Sequence, residues 1–380
     1  MAAVALLAAA SAVVFYFLIG YPILLASWRR AAPAVRKDPR FRPTVSVLVA
    51  VHNGAAHLER KLESLLAQDY PPRLREILVI SDGSTDATET IAGSFANRGV
   101  RLLRIPRGGK AAALNAGLAR ASGDILFFTD VRQPLDPRAL SHLAANFADP
   151  TVGAATGELR LLNPARAGEQ ADMELYWRFE LWARARHSRI DSIFSTTGCI
   201  YALRRALASP LPPDTIADDG TFSLRAFFRG YRVIFDPEAL AFDYPAAEGG
   251  EFRRRWRTLA GLWQLYVRLP QLFTRANRMR FHFLSYKFGR LVLPWAILLI
   301  LGSTVALPDS HWRNFFLTDE LMLPALAVLD RFVPRAFPLK RISSPARTFL
   351  AMNAAALLAL AVFFVSPKSL WQPTRIEVRH

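Results

Sequence analysis

Three short apolar runs, each closed by turn-forming polar residues, set the pattern of the first third of the chain. Val45 to Val51 is almost continuously apolar and is followed by His52-Asn53-Gly54. Glu76-Ile77-Leu78-Val79-Ile80 runs into Ser81-Asp82-Gly83-Ser84-Thr85-Asp86, and Asp124-Ile125-Leu126-Phe127-Phe128-Thr129 ends on Asp130. Runs of this length and composition predict strands buried on both faces. Between the first two, Leu58, Leu62, Leu65 and Leu66 share one face of a predicted helix. Between the second and third, Gly108-Gly109-Lys110 opens an alanine-rich helix that continues to Asn115. Strands alternating with helices predict an α/β fold with a mostly parallel sheet, whose ligands bind where strand carboxyl ends open onto a crevice. Asp82 and Asp130 stand at two such ends.

Longer apolar runs lie at both ends of the chain. Met1 to Trp28 carries no charged side chain and is followed directly by Arg29-Arg30. About 20 apolar residues span a bilayer core, and a cleaved signal peptide would start with basic residues and carry a shorter apolar centre. Residues 3–27 are therefore expected to form a retained transmembrane helix, with Arg29, Arg30, Arg36 and Lys37 holding its carboxyl end in the cytoplasm. Leu291 to Leu307 and Thr348 to Val365 are further apolar runs; Asn314 to Leu329 is interrupted by Asp319, Glu320 and Pro324. Arg331, Arg335, Lys340, Arg341 and Arg347 favour the cytoplasm, and so do Lys368, Arg375 and Arg379. Both groups cannot lie there if Thr348 to Val365 crosses once, so the number of carboxyl-terminal helices stays open. The expected segments are a membrane helix at 1–28, the α/β domain at 40–250 and a basic, aromatic interfacial segment at 251–290. Membrane helices follow at 291–366 and a tail at 367–380.

Charge changes the picture little. The formal net charge of +17 in 380 residues would suit nucleic acid, but no nucleic-acid motif is present. The arginine clusters adjoin the apolar runs, where they would meet anionic headgroups. Membrane lipids are the expected partner, and nucleic acid is not. The single cysteine, Cys199, excludes an intramolecular disulfide and a multi-cysteine zinc site, and its apolar surroundings suit a packed side chain.

The carboxylates and the lysine suit a sugar nucleotide: carboxylates accept from base or ribose groups and can hold a divalent cation, while an ammonium offsets diphosphate charge. With these motifs in this order, from about Pro43 to about Gly261, the chain resembles family 2 glycosyltransferases. These have a GT-A (Rossmann-like) catalytic domain joined to membrane helices, and include cellulose, hyaluronan and poly-N-acetylglucosamine synthases. Weaker similarity reaches Trp371-Gln372-Pro373-Thr374-Arg375. By that resemblance Asp82 contacts the nucleobase, Lys110 meets the diphosphate, and Asn115 faces the same side one turn later. Asp86 is expected to cap the following helix.

The sequence departs from the family at several places. His52-Asn53-Gly54 stands where an aromatic residue, Asn and Glu are usual, which removes an acid at Gly54. Asp130 begins the family's Asp-X-Asp motif, but the triplet is Asp130-Val131-Arg132, and a guanidinium cannot ligate a cation. Either Asp130 holds Mg2+ or Mn2+ with water and phosphate oxygens, or Arg132 itself neutralises part of the diphosphate. Thr197 to Arg205 resembles the strand lining the acceptor side. Asp218-Asp219 precedes Leu224 as in the segment bearing the catalytic base, which aligns Asp219 with the base and leaves Asp218 in support; a helix cap is the plain alternative. Arg255-Trp256 resembles the Arg-Trp of the Gln-X-X-Arg-Trp motif, which borders the acceptor sugar and the departing diphosphate. Phe252 holds the glutamine position, which puts processive polymerisation in doubt.

The resemblance implies an inverting glycosyltransferase of hexosyl type, multi-pass in the inner membrane with a cytoplasmic catalytic domain. It would move a sugar from a nucleotide-diphosphate donor to a glycan or lipid-linked acceptor. Its alternative is a catalytically silent GT-A subunit that assists polysaccharide assembly or export. A sugar nucleotidyltransferase would need a glycine-rich Arg/Lys loop near its amino terminus, and none is present.

Overall fold

Val45–Val51 (β1) has six of its seven residues buried, the signature of a strand covered on both faces by helices. The computed structural model describes residues 1–162, 169–244, 250–334 and 337–364, with side chains of the Glu169–Ile190 helix described from Trp177 onward. The expectations at Arg335, Lys368, Arg379 and Trp371 to Arg375 lie outside these residues.

The chain divides into two units, one comprising residues 30–162 and 184–245 and the other 1–29, 163–183 and 246–380. Before the central sheet come α1 (Ala2–Phe15) and α2 (Tyr21–Ser27). The sheet-bearing unit then runs β1, α3 (Ala55–Leu66), β2 (Arg75–Asp82), α4 (Thr88–Ser94), β3 (Val100–Ile105), α5 (Lys110–Leu118), β4 (Ile125–Phe128) and α6 (Ala139–Ala145). It continues with β5 (Val152–Leu161), the latter part of α7 (Glu169–Ile190), β6 (Tyr201–Arg204), α8 (Asp218–Phe228) and β7 (Arg232–Asp243). The second unit adds α9 (Gly250–Arg268), α10 (Arg280–His282), α11 (Gly289–Val305), α12 (His311–Leu329) and α13 (Lys340–Leu358).

The sheet has seven strands in the order β3-β2-β1-β4-β6-β5-β7. β1 pairs in parallel with β2 and β4, β2 with β3, and β5 with β7, whereas β6 runs antiparallel to both β4 and β5. Every strand except β6 therefore ends at the same edge, and the amino end of β6 returns there. At the β4–β6 junction Phe128 opposes Tyr201, and their rings stack at 4.5 Å and 8°. Below the sheet, α3 buries Leu58, Lys61, Leu62 and Leu65, the i, i+3, i+4, i+7 stripe of an amphipathic helix with one lysine inside it.

Among the described residues of the other unit, three helices are long and apolar enough to cross a membrane: Ala2–Ser27, Arg280–Val305 and Lys340–Phe363. The second starts ahead of the expected Leu291 because a π turn at Phe283–Phe288 carries α10 into α11 without a break. α12 is a continuous helix through Pro324, but Arg313 together with Asp319 and Glu320 keeps it out of this class among the described residues. The amino-terminal helix packs on α11 so closely that a β-carbon at Gly289 would lie 2.6 Å from the Phe17 ring. Asp330, fully buried, gathers Lys340 at 3.0 Å, Arg347 at 2.8 Å and the Ser343 hydroxyl at 2.7 Å.

Candidate active site

The site lies at the carboxyl edge of the sheet, within the sheet-bearing unit. Asp82, at the end of β2, is 2% exposed. Its carboxylate accepts from the N–H of Gly108 at 2.7 Å and of Gly109 at 3.0 Å, and pairs with the Arg107 guanidinium. The His52 ring meets the Asp82 carbonyl at 2.8 Å. By the resemblance Asp82 is expected to contact the nucleobase; in the structure its carboxylate binds both glycine N–H groups, because the turn brings adjacent donors onto the carboxylate at the strand end. The backbone chemistry is specific: Gly83 has φ +60° and Gly109 φ +91°, and a β-carbon on Gly83 would lie 2.8 Å from the Arg107 nitrogen. Asp86 accepts from the N–H of Thr88 and of Ala55, both at 3.0 Å, and so ties the starts of α4 and α3.

Lys110, the first residue of α5, joins the two halves of the site. Its ammonium is 3.0 Å from Asp130 Oδ1, beyond the end of β4, and 3.2 Å from Asp218 Oδ1, at the start of α8. Burial works against its charge, but Asp130, Asp218 and Asp219 outweigh burial and hold its pKa well above the usual lysine range. Asp218 also accepts from the Tyr201 hydroxyl at 3.4 Å. Burial and then Asp218 raise the pKa of that phenol, which keeps it a donor.

Asp218 and Asp219 occupy the first turn of α8, and Ala217 at the N-cap makes no side-chain cap. The plain alternative of a helix cap is therefore not what the structure shows. Burial first, and then the neighbouring Asp218, push the Asp219 carboxyl up to about 6, against the lowering effects of Lys110, the Gly220 N–H and Arg184. The Asp219 carbonyl is fixed by the hydroxyls of Thr196 at 3.1 Å and Ser223 at 2.7 Å. A β-carbon on Gly198 would stand 3.7 Å from Asp219 Oδ2, so the absence of a side chain there leaves that face of the carboxylate open.

Two other expected ligands are placed differently. Asn115 donates to the Leu211 carbonyl at 2.9 Å and accepts from the Leu211 N–H at 2.8 Å, so its amide staples the loop that leads to Asp218. Arg132 donates to Asp243 Oδ2 at 2.5 Å, and Gln133 donates to the same oxygen at 2.8 Å. The guanidinium is thus paired to a buried carboxylate at the end of β7, where its charge is already balanced. Arg255 and Trp256 lie on α9 in the other unit, where the Trp256 indole donates to the Leu358 carbonyl at 2.8 Å.

Arg107, Asp243 and Lys61 were not singled out from sequence. Arg107 abuts the glycine pair, and Asp243 closes an apolar strand as Asp82 does. Lys61 breaks an otherwise leucine-lined helix face. Each of these was a usable signal. Among the described residues, no group of three or more His, Cys, Asp or Glu is arranged to hold a metal ion. The donor set therefore suits a cation carried largely by phosphate oxygens, with one carboxylate from the protein, rather than a protein cage.

The sequence matches the model of Glycosyl transferase family 2 over residues 46–209. It is 25% identical over 275 residues to a Bacillus subtilis protein named a probable glycosyltransferase, a match covering 69% of this chain and 65% of that protein. It is 24% identical over 310 residues to the poly-beta-1,6-N-acetyl-D-glucosamine synthase of Staphylococcus aureus, covering 76% and 74% respectively. Among solved structures, a mannosyltransferase from Pyrobaculum calidifontis in complex with GDP-Man and Mn2+ superposes with a TM-score of 0.75. That pair is 25% identical, over 95% of this chain and 98% of the other.

Proposed function

We propose, from the premise that this chain is a glycosyltransferase with a family 2 domain, that it transfers a sugar with inversion from a nucleotide-diphosphate sugar to a hydroxyl of a glycan or lipid-linked acceptor. The transfer takes place at the cytoplasmic face of the inner membrane, in polysaccharide or glycoconjugate synthesis. The observation that carries this reading is the Lys110 ammonium held between Asp130 and Asp218, with the raised carboxyl of Asp219 beside them.

In the proposed reaction the acceptor oxygen attacks the anomeric carbon from the face opposite the diphosphate. Its proton passes to the Asp219 carboxylate, and the bond between the anomeric carbon and the diphosphate oxygen breaks with its electron pair on that oxygen. Asp218 supports Asp219 by raising its proton affinity, while Tyr201 keeps Asp218 in place. Lys110 faces the departing diphosphate with a charge that three carboxylates keep from titrating. Asp82 acts by fixing the Arg107-Gly108-Gly109 turn and so the start of α5, whose first-turn N–H groups favour an anion. Asn115 sets the loop before α8, and Arg132 locks the segment after Asp130. Arg255 and Trp256 are proposed for the acceptor and diphosphate side.

A divalent cation, Mg2+ or Mn2+, fits with Asp130 as its protein ligand; bound there it would add neutralising charge to the leaving group. The pairing of Arg132 with Asp243 favours this over a compensating guanidinium. Chelation is expected to silence the native enzyme, with recovery on adding Mg2+ or Mn2+. Activity that survives chelation would remove the cation from the reading.

The test is a panel of UDP- and GDP-sugars offered to the full chain in native membranes. Free nucleotide diphosphate is expected from one donor, with a product of inverted anomeric configuration. Retained configuration would remove the single displacement. No release across the panel would favour the silent subunit.

A further inference from the structure

Lys61 lies on the apolar stripe of α3 beside Leu58, Leu62 and Leu65, and is 1% exposed. Its ammonium donates to the Thr129 hydroxyl at 2.5 Å and to the Gln133 carbonyl at 2.6 Å. These two acceptors bracket Asp130-Val131-Arg132. Thr129 passes its own hydrogen to the Cys199 carbonyl at 2.7 Å, so its oxygen is an acceptor toward Lys61. From the other side, Asp243 holds Arg132 and Gln133 through one carboxylate oxygen. The segment after β4 is thus held at both ends by Lys61 and at its far end by Asp243 as well.

A buried lysine whose two acceptors are neutral is an expensive choice for a core position. Burial pulls its pKa down to about 7, with Cys199 and then Asp130 offsetting only part of the loss. Methionine would fill similar volume without desolvating an amine, so packing alone does not account for this residue. What lysine adds is directed hydrogen bonding to two points four residues apart on one loop.

We propose that Lys61 is a positioning residue: with Asp243 it fixes residues 129–133, and thereby sets where the Asp130 carboxylate meets Lys110 and the donor diphosphate. This rests on the reading of Asp130 as a diphosphate-side group. A loop displaced by about 1 Å can lower a rate by roughly 10²-fold.

The experiment compares the full chain with Lys61→Met, Thr129→Val and the double variant in native membranes or detergent. Three quantities are followed: thermal midpoint, hydrogen–deuterium exchange of peptides covering 129–135, and turnover with whichever UDP- or GDP-sugar the native chain uses. In Lys61→Met, exchange in 129–135 is expected to speed up about tenfold or more while peptides of β1 and β2 stay protected. Turnover per folded molecule should fall roughly 10- to 100-fold, mainly in kcat. The double variant should lose less than the sum of the two single losses, because both changes break the Lys61–Thr129 contact while each also removes one bond of its own. Native exchange in that segment, or a loss that vanishes on correction for folded fraction, would overturn the proposal. If Lys61→Met does not fold, Thr129→Val decides by the same exchange readout. If the native chain turns over no donor, the transfer reading fails, while the exchange result still decides the clamp.

Discussion

A carboxylate with a pKa near 6 is mostly ionised at neutral pH and still binds a proton more strongly than an ordinary aspartate, which suits a general base. Asp219→Asn keeps the shape and removes the acceptor, so transfer should fall about 10²- to 10⁴-fold with nucleotide affinity nearly intact. Near-native turnover in that variant would take Asp219 out of the mechanism. The same substitution has a stability consequence. The folded-state value lies above the ordinary one, so protonated Asp219 contributes stability below about pH 4, and that contribution is lost as pH rises through about 6. At pH 8 Asp219→Asn should therefore be more stable than the native chain, by on the order of 1–3 kcal/mol in denaturant unfolding. Lys110→Ala removes the cation shared by Asp130 and Asp218. It should weaken a nucleoside diphosphate more than the nucleoside, and equal losses by calorimetry would assign the lysine to the fold. Because Lys110 lowers the Asp219 value, the acid limb of the pH–rate profile should also move upward. The residues themselves were visible as types in sequence. What sequence could not show is that a lysine opening one helix and an acidic pair opening another converge, since that is set by the antiparallel return of β6.

The strands β1, β2 and β4 were legible because they are apolar on both faces and end in turn formers, and α3 because its leucines repeat at helical spacing. The glycine pair was legible as a turn, but its partner was not: nothing in Gly108-Gly109 says that its N–H groups meet Asp82 rather than an anion. The turn therefore acts as part of the β2–α5 connection, and Gly83 tests it. Ala at that position must adopt φ +60° with a β-carbon 2.8 Å from the Arg107 nitrogen. Gly83→Ala should lower stability by about 1–3 kcal/mol and weaken nucleotide binding with it. Unchanged thermal midpoint and affinity would show that the connection is free to rearrange. The arginine in Asp130-Val131-Arg132 was the least legible feature, because its partner, Asp243, lies at the end of the last strand of the sheet.

Across the whole molecule, the runs at 3–27, 291–307 and 348–365 foretold helices able to cross a membrane; the second starts early because a π turn extends it, and the third starts early, at Lys340. The conflict between two basic segments also has a structural side. Lys340 and Arg347 are ion-paired to the buried Asp330, so part of that basic cluster serves the α12–α13 connection rather than reporting only on topology. One feature of the sheet reaches further. The segment from β1 through β4 and the turn after it, with α5, carries Asp82, Lys110 and Asp130, whereas the segment from β5 to β7 carries Asp218 and Asp219 on α8. Among the described residues the β4–β6 pairing of the two groups runs along four residue pairs, Ile125–Arg204 to Phe128–Tyr201, and the bonds Asn115–Leu211, Thr129–Cys199, Arg132–Asp243 and Gln133–Asp243 cross the same boundary. That boundary is a crossover point for recombination as long as those bonds are kept. A hybrid that takes residues 30–150 from a relative of known donor and keeps 151–245 should inherit that relative's nucleotide while keeping its own acceptor, provided that Lys110, Asn115, Phe128, Thr129, Arg132 and Gln133 are preserved at the seam. If the released nucleotide instead follows the carboxyl-terminal part, donor choice is not carried by the first four strands. If it follows the amino-terminal part, lineages of this architecture could change donor and acceptor by separate genetic events.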